Sequence, residues 1–221
     1  MKILLVGASS EIAKSLLEIS GTKTEFIQFT SNPSSPGQHQ VNIQDESTFP
    51  DISGDLDGLV YFPGSINLRP FSGLKLSDFQ TDYEINVLGL IKILKHYHKQ
   101  LAQNSSVVFI SSVAASVGMP YHASISLCKS ALEGFARALA AEWSPKVRVN
   151  CIAPSVVQTK LSSRLFRTEA QVEQMNARHP LQRVGQPQDI AHGIEFLLSD
   201  KSSWMTGQVL QLDGGLSSIK K

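Results

Sequence analysis

Two stretches of this sequence carry groups that could act on a ligand. Gly7-Ala8-Ser9-Ser10-Glu11-Ile12-Ala13 is a run of small residues between the apolar Ile3–Val6 and a segment of helical period. A tight turn that opens a helix presents unpaired N–H groups and the positive end of the helix dipole, a setting that favours a phosphate or pyrophosphate. The second stretch, Met119-Pro120-Tyr121-His122-Ala123-Ser124-Ile125, puts a phenol eight residues and an imidazole seven residues before Lys129. An imidazole with its ordinary pKa near 6.5 suits proton transfer at neutral pH. Cys128 and Cys151 lack metal-ligand spacing and are too few for a disulfide framework, so they read as packed thiols.

Positioning these groups requires a scaffold, and the hydrophobic pattern supplies one. Short β-branched or aromatic runs at residues 2–6, 25–30, 40–43, 58–62, 106–110, 148–153 and 208–212 alternate with longer segments of helical period at 12–19, 78–103, 126–143 and 187–198. That alternation predicts repeated βαβ units. The fold expected is α/β, a Rossmann-type doubly wound sheet of seven mainly parallel strands with helices on both faces, in one domain over residues 1–221. Only nine residues lie between Thr30 and Gln40, too few for a helical crossover, so that helix is expected to be missing. The second helix is apolar almost all round (Ile85, Val87, Leu88, Leu90, Ile91, Leu94), which predicts burial against the sheet and against a second subunit.

Composition narrows the functional classes. Lysine plus arginine total 20 against 19 acids, and the formal charge of +1 gives no electrostatic footprint for nucleic acid or an anionic membrane. No apolar run approaches the roughly 20 residues of a spanning helix, so a cytoplasmic protein acting on a small molecule is expected.

Gly7-Ala8-Ser9-Ser10, Asn86, Ile110-Ser111-Ser112, Lys129, the run from Val147 to Pro154, Thr206-Gly207-Gln208-Val209-Leu210 and Asp213-Gly214-Gly215 together resemble the short-chain dehydrogenase/reductase family over essentially the whole chain. The carboxy-terminal half, with Pro180-Leu181 and Arg183 to Ala191, is most similar to the 3-oxoacyl-thioester reductases of that family. The resemblance implies a dinucleotide held by Gly7, Ser9, Ser10 and Ile12 at the pyrophosphate and by Asn42 and Ile43 at the adenine. Pro63 and Gly64 stand where the family has the end of its N-N-A-G segment, and Pro154, Val157 and Thr159 match the stretch that touches the nicotinamide amide. Thr30 and Ser31 end the second strand without an acid, favouring NADP(H) over NAD(H). A substrate lid is implied around residues 160–180, and a homodimer or homotetramer is expected from the apolar second helix and the Ala-rich third.

The resemblance also implies a proton relay in which Asn86 holds a water, Ser112 polarises the carbonyl and Lys129 lowers the pKa of a tyrosine. That tyrosine belongs four residues before Lys129, and the residue there is Ile125. Tyr121 and His122 are the candidate substitutes. Glu11 replaces a glycine of the family's turn; it is expected to point outward, since at an effective dielectric near 20 a carboxylate about 6 Å from a phosphate would cost roughly 3 kcal/mol. Two readings follow: an NADP(H)-dependent oxidoreductase with a non-standard proton donor, or a catalytically silent member that binds nucleotide or a protein partner.

Overall fold

The computed structural model describes residues 1–220. Seven parallel strands form one sheet in the order β3-β2-β1-β4-β5-β6-β7: β1 (Lys2–Val6), β2 (Glu25–Thr30), β3 (Gln38–Gln40), β4 (Leu56–Tyr61), β5 (Leu101–Ile110), β6 (Val147–Pro154) and β7 (Val209–Leu212). The chain winds outward from β1 through β2 to β3, then crosses back to lay β4 on the other side of β1. That reversal opens a crevice beyond the carboxyl ends of β1 and β4, where doubly wound sheets bind ligands.

Strand alternation sends Leu4, Val6, Leu59, Tyr61, Val107 and Phe109 to one face, and Ile3, Leu5, Val60, Val108 and Ile152 to the other. The first face is covered by α3 (Gly89–Tyr97) and α4 (Ala123–Trp143), the second by α1 (Glu11–Ile19) and α6 (Pro187–Leu198). The three-layer expectation is met. The expected absence of a helix between β2 and β3 is met as well: β3 pairs directly with β2 in the register Gln28↔Gln38 to Thr30↔Gln40.

Two expected elements need correction. The third strand lies at Gln38–Gln40 rather than 40–43, because the Val41 N–H still reaches the Thr30 carbonyl (2.9 Å) while Asn42 and Asp45 already close a turn. The long second helix is three pieces, α2 (Leu76–Tyr83), a π-helical turn (Glu84–Leu88) and α3, and it stops at Tyr97. Leu101, which continues the apolar period, has already joined β5 opposite Leu56.

The π-turn has an identifiable cause. Tyr61, at the position matching the first asparagine of the N-N-A-G segment, is buried and donates its hydroxyl to the Ile85 carbonyl inside the turn (2.6 Å). A side chain that enters the helical ladder expands it, and the expanded turn carries Asn86. Room for the phenol comes from Gly89: an ideal Cβ there would stand 2.6 Å from the Tyr61 hydroxyl and 2.9 Å from Ile43 Cδ1. Gly89→Ala should therefore destabilise the protein by about 1–3 kcal/mol, lowering Tm by roughly 2–12 °C in a thermal melt; an unchanged Tm would remove this account of the turn.

Candidate functional site

Gly7 ends β1 with a φ of +83°, and an ideal Cβ there would lie 3.0 Å from Pro63 Cδ and 3.2 Å from Phe62 Cβ. Only glycine combines that backbone with that crowding. Its carbonyl accepts from Ser10 N–H (3.1 Å), and Ser10 caps α1 by accepting from Ala13 N–H (3.1 Å). The turn thus hands the chain from β1 into α1 beside the crevice.

A cavity of about 250 Å³ opens at the carboxyl ends of the strands. Ser10, Glu11 and Ile12 reach it from the start of α1, and Gly64 and Ser65 from the loop after β4. Ser112 enters from just past the end of β5, Ile125 and Lys129 from α4, and Pro154, Val157 and Thr159 from the end of β6 and the segment that follows it. Glu11 is partly buried and contributes to this wall.

Lys129 is the electrostatic centre. It is only 7 % exposed, and its ammonium donates to the Ile110 carbonyl (2.8 Å). Burial holds its pKa down to about 8. Asn86, fully buried, donates its amide N–H groups to the Ser65 hydroxyl (2.9 Å) and the Asp82 carbonyl (2.8 Å), leaving Oδ1 without a hydrogen-bond partner among the described residues. Gly64 separates the two groups: an ideal Cβ there would lie 3.3 Å from Asn86 Oδ1 and 3.4 Å from Lys129 Nζ. An orphaned acceptor and a buried ammonium thus face one small space. Ser112 accepts from Ala114 N–H (3.2 Å), so its hydroxyl proton is left for a ligand oxygen.

Other sequence candidates lie elsewhere. Tyr121 is 58 % exposed with a φ of +69°, and it is absent from the cavity wall. His122 does reach the wall; its Nδ1 lies 2.7 Å from the Pro120 carbonyl, which can only accept, so Nδ1 is the donor in that bond. Thr30 spends its hydroxyl on the Asn32 backbone (3.3 and 3.4 Å), while Ser9, Ser31 and Asn42 are exposed. Ile43 packs near Gly89, and Pro63 packs on Gly7. The adenine end is therefore open surface rather than enclosed pocket. Both cysteine thiols are buried, and burial pushes them up, Cys128 to about 11 and Cys151 to about 12, consistent with packed and inert groups.

Sequence reasoning missed two polar clusters. Asp82, 2 % exposed, accepts from Ser65 (2.5 Å) and Ser124 (2.6 Å), and through Ser65 it fixes the orientation of the Asn86 amide. The signal was the four-residue spacing of Asp82 and Asn86 on one helix face. Ser155 and His179 lie 2.9 Å apart on the cavity wall, and nothing in their separate segments announces the pairing. The 160–180 segment contains a short helix, α5 (Glu169–Ala177), and its Leu161, Leu165, Met175 and Arg178 line the cavity.

A family model described as Enoyl-(Acyl carrier protein) reductase matches residues 46–217. An uncharacterized oxidoreductase of Mycobacterium tuberculosis is 34% identical over 174 residues, 75% of this chain and 64% of the relative, so the chain spans about two thirds of that relative's length. A short-chain dehydrogenase family protein from Francisella tularensis superposes with a TM-score of 0.89 at 23% identity, covering 99% of both chains. ElxO with NADP bound superposes with a TM-score of 0.85 at 26% identity, again over 99% of each chain. With its sheet order, its Gly7 turn and its Ser112–Lys129 cavity, the chain belongs to the short-chain dehydrogenase/reductase family.

The depressed Lys129 pKa makes a stability prediction. As pH rises the folded protein releases this proton near 8 while the unfolded chain keeps it to about 10.5, so stability rises with pH across that window. Relative to Lys129→Met, wild type should gain on the order of 2–3 kcal/mol between pH 7 and pH 10 in urea unfolding. Parallel behaviour of the two proteins would contradict the burial of this charge.

Proposed function

We propose that the chain is an NADP(H)-dependent oxidoreductase that reduces a carbonyl group, with an acyl thioester as the substrate class and a proton donor other than tyrosine. The observation that carries this reading is the convergence of Asn86 Oδ1 and Lys129 Nζ on the space beside Gly64, below the wall that Ser112 enters. A protein ordinarily satisfies a buried acceptor and pairs a buried ammonium, and a ribose hydroxyl and a water would complete both. The NADP-bound neighbour and the absence of an acid at the end of β2 support NADP(H) over NAD(H).

Bound there, the nicotinamide supplies the hydride. Lys129 holds the ribose, Asn86 Oδ1 holds a water, and Pro154, Val157 and Thr159 hold the carboxamide end. Ser112 donates its hydroxyl to the substrate oxygen, where negative charge develops during reduction. Leu161, Leu165 and Met175 give the substrate arm an apolar wall, and the exposed Arg178 beside them suits an anionic group on that arm. Ile125 stands on the wall where the family has its acid, 5 % exposed and unable to give a proton. His122 is the sequence candidate that reaches the cavity.

NADPH at a hundred times its Kd should stabilise the protein by about 2.7 kcal/mol, a rise in Tm of roughly 5–11 °C, and NADH should do less. Ile125→Tyr should raise turnover on generic ketones or thioesters by about 100-fold or more. No stabilisation by either nucleotide at millimolar concentration would reject the oxidoreductase reading in favour of a catalytically silent protein. We further propose a homodimer or homotetramer through the α2–α3 segment and α4, where Tyr83 at the end of α2 and Leu127 on α4 are exposed; a monomeric mass by light scattering would refute it.

A further inference from the structure

We propose that Ser155 and His179 form the proton relay of this cavity, His179 acting through the Ser155 hydroxyl in place of the phenol that Ile125 cannot supply. The inference rests on the carbonyl-reductase reading above and names the residues that complete it.

His179 is 2 % exposed and its two ring nitrogens are committed. Nδ1 lies 2.8 Å from the Met175 carbonyl, an acceptor only, so Nδ1 carries the proton in the neutral ring. Nε2 is then the acceptor of the Ser155 hydroxyl at 2.9 Å. A hydroxyl bonded to an imidazole that a third group orients is the arrangement by which proteins move a hydroxyl proton.

Placement ties the pair to the reacting centre. On β5 and β6 the register pairs Ile110 with Ile152, so Ser112 stands two residues beyond that pair on one strand and Ser155 three beyond on its neighbour. Both hydroxyls line the same cavity, and Ser155 directly follows Pro154. Ser155 is also the one residue common to this wall and to that of a smaller cleft bearing Arg183, Asp189 and Asp213. The relay therefore has a substrate side and a polar side. His122 has no such intermediary: its Nε2 makes no hydrogen bond among the described residues, and the ring is half-exposed.

The step balances as follows. As the carbonyl carbon receives hydride, its π pair moves to oxygen, and that oxygen takes the Ser155 hydroxyl proton. Ser155 Oγ takes the Nε2 proton of the His179 imidazolium, leaving a neutral ring whose Nδ1–H faces the Met175 carbonyl. Alcohol oxidation runs the same transfers in reverse.

Two measurements decide the proposal. In long-range proton–nitrogen spectra of protein labelled at histidine, His179 should appear as the Nδ1–H tautomer at high pH, and Ser155→Ala should shift its Nε2 resonance. An Nε2–H tautomer, or no shift, overturns the pair without reference to activity. In single-turnover NADPH oxidation with ethyl acetoacetate or an N-acetylcysteamine 3-oxobutanoyl thioester, Ser155→Ala and His179→Gln should each slow hydride transfer by about 100-fold with NADPH affinity unchanged. Adding Ile125→Tyr to either should bring the rate to that of the Ile125→Tyr single variant, since a phenol bypasses the relay. Wild-type rates in both single variants overturn the proposal, as does a wild type that binds NADPH but reacts only when Ile125→Tyr is present. Should no form bind NADPH, the reductase reading falls on that result, and the spectra still decide whether the pair exists.

Discussion

A buried ammonium with one backbone carbonyl for company sets the terms for this molecule. Lys129 forms no ion pair among the described residues, and its Nζ donates only to Ile110. Burying a charge costs several kcal/mol unless it is compensated, and here the cost is visible as a pKa pulled down to about 8. A fold keeps such an arrangement by over-determining it elsewhere. The surrounding structure does so with a parallel sheet that brings the ends of β4, β5 and β6 beside one another and a helix that carries Lys129 across them.

The neighbouring polar groups follow from the same constraint. Tyr61 enters the ladder between α2 and α3, and the π-turn it props open carries Asn86. Asp82 and Ser65 then hold the amide nitrogen, so the amide oxygen remains on the side of Lys129 and Gly64. Tyr61 is thus a structural support, placed at the end of the strand whose following loop brings Gly64 and Ser65 to the site.

Much of the scaffold was legible because its signals are local. Ile3 to Val6, Val107 to Ile110 and Val149 to Ile152 are short buried runs, and α6 begins at Pro187 and ends at Leu198 as the periodicity requires. The missing crossover before β3 could be counted from chain length alone. What could not be read were features fixed by distant partners. The π-turn depends on a phenol 24 residues away, the end of α3 on pairing between Leu56 and Leu101, and the Ser155–His179 contact on a segment that folds back across 24 residues of chain. Tyr121 failed as a site residue for a related reason: sequence spacing to Lys129 says nothing of the left-handed backbone that leaves its ring on the surface.

The proposed function puts the ribose of a pyridine nucleotide in the space bounded by Gly64, Asn86 Oδ1 and Lys129 Nζ. A crystal of the protein soaked with NADP⁺ should then show a ribose hydroxyl within hydrogen-bonding distance of Lys129 Nζ and the nicotinamide ring against Pro154 and Val157. Electron density for the nucleotide at another place on the protein, or side chains closing that space in the soaked crystal, would contradict it.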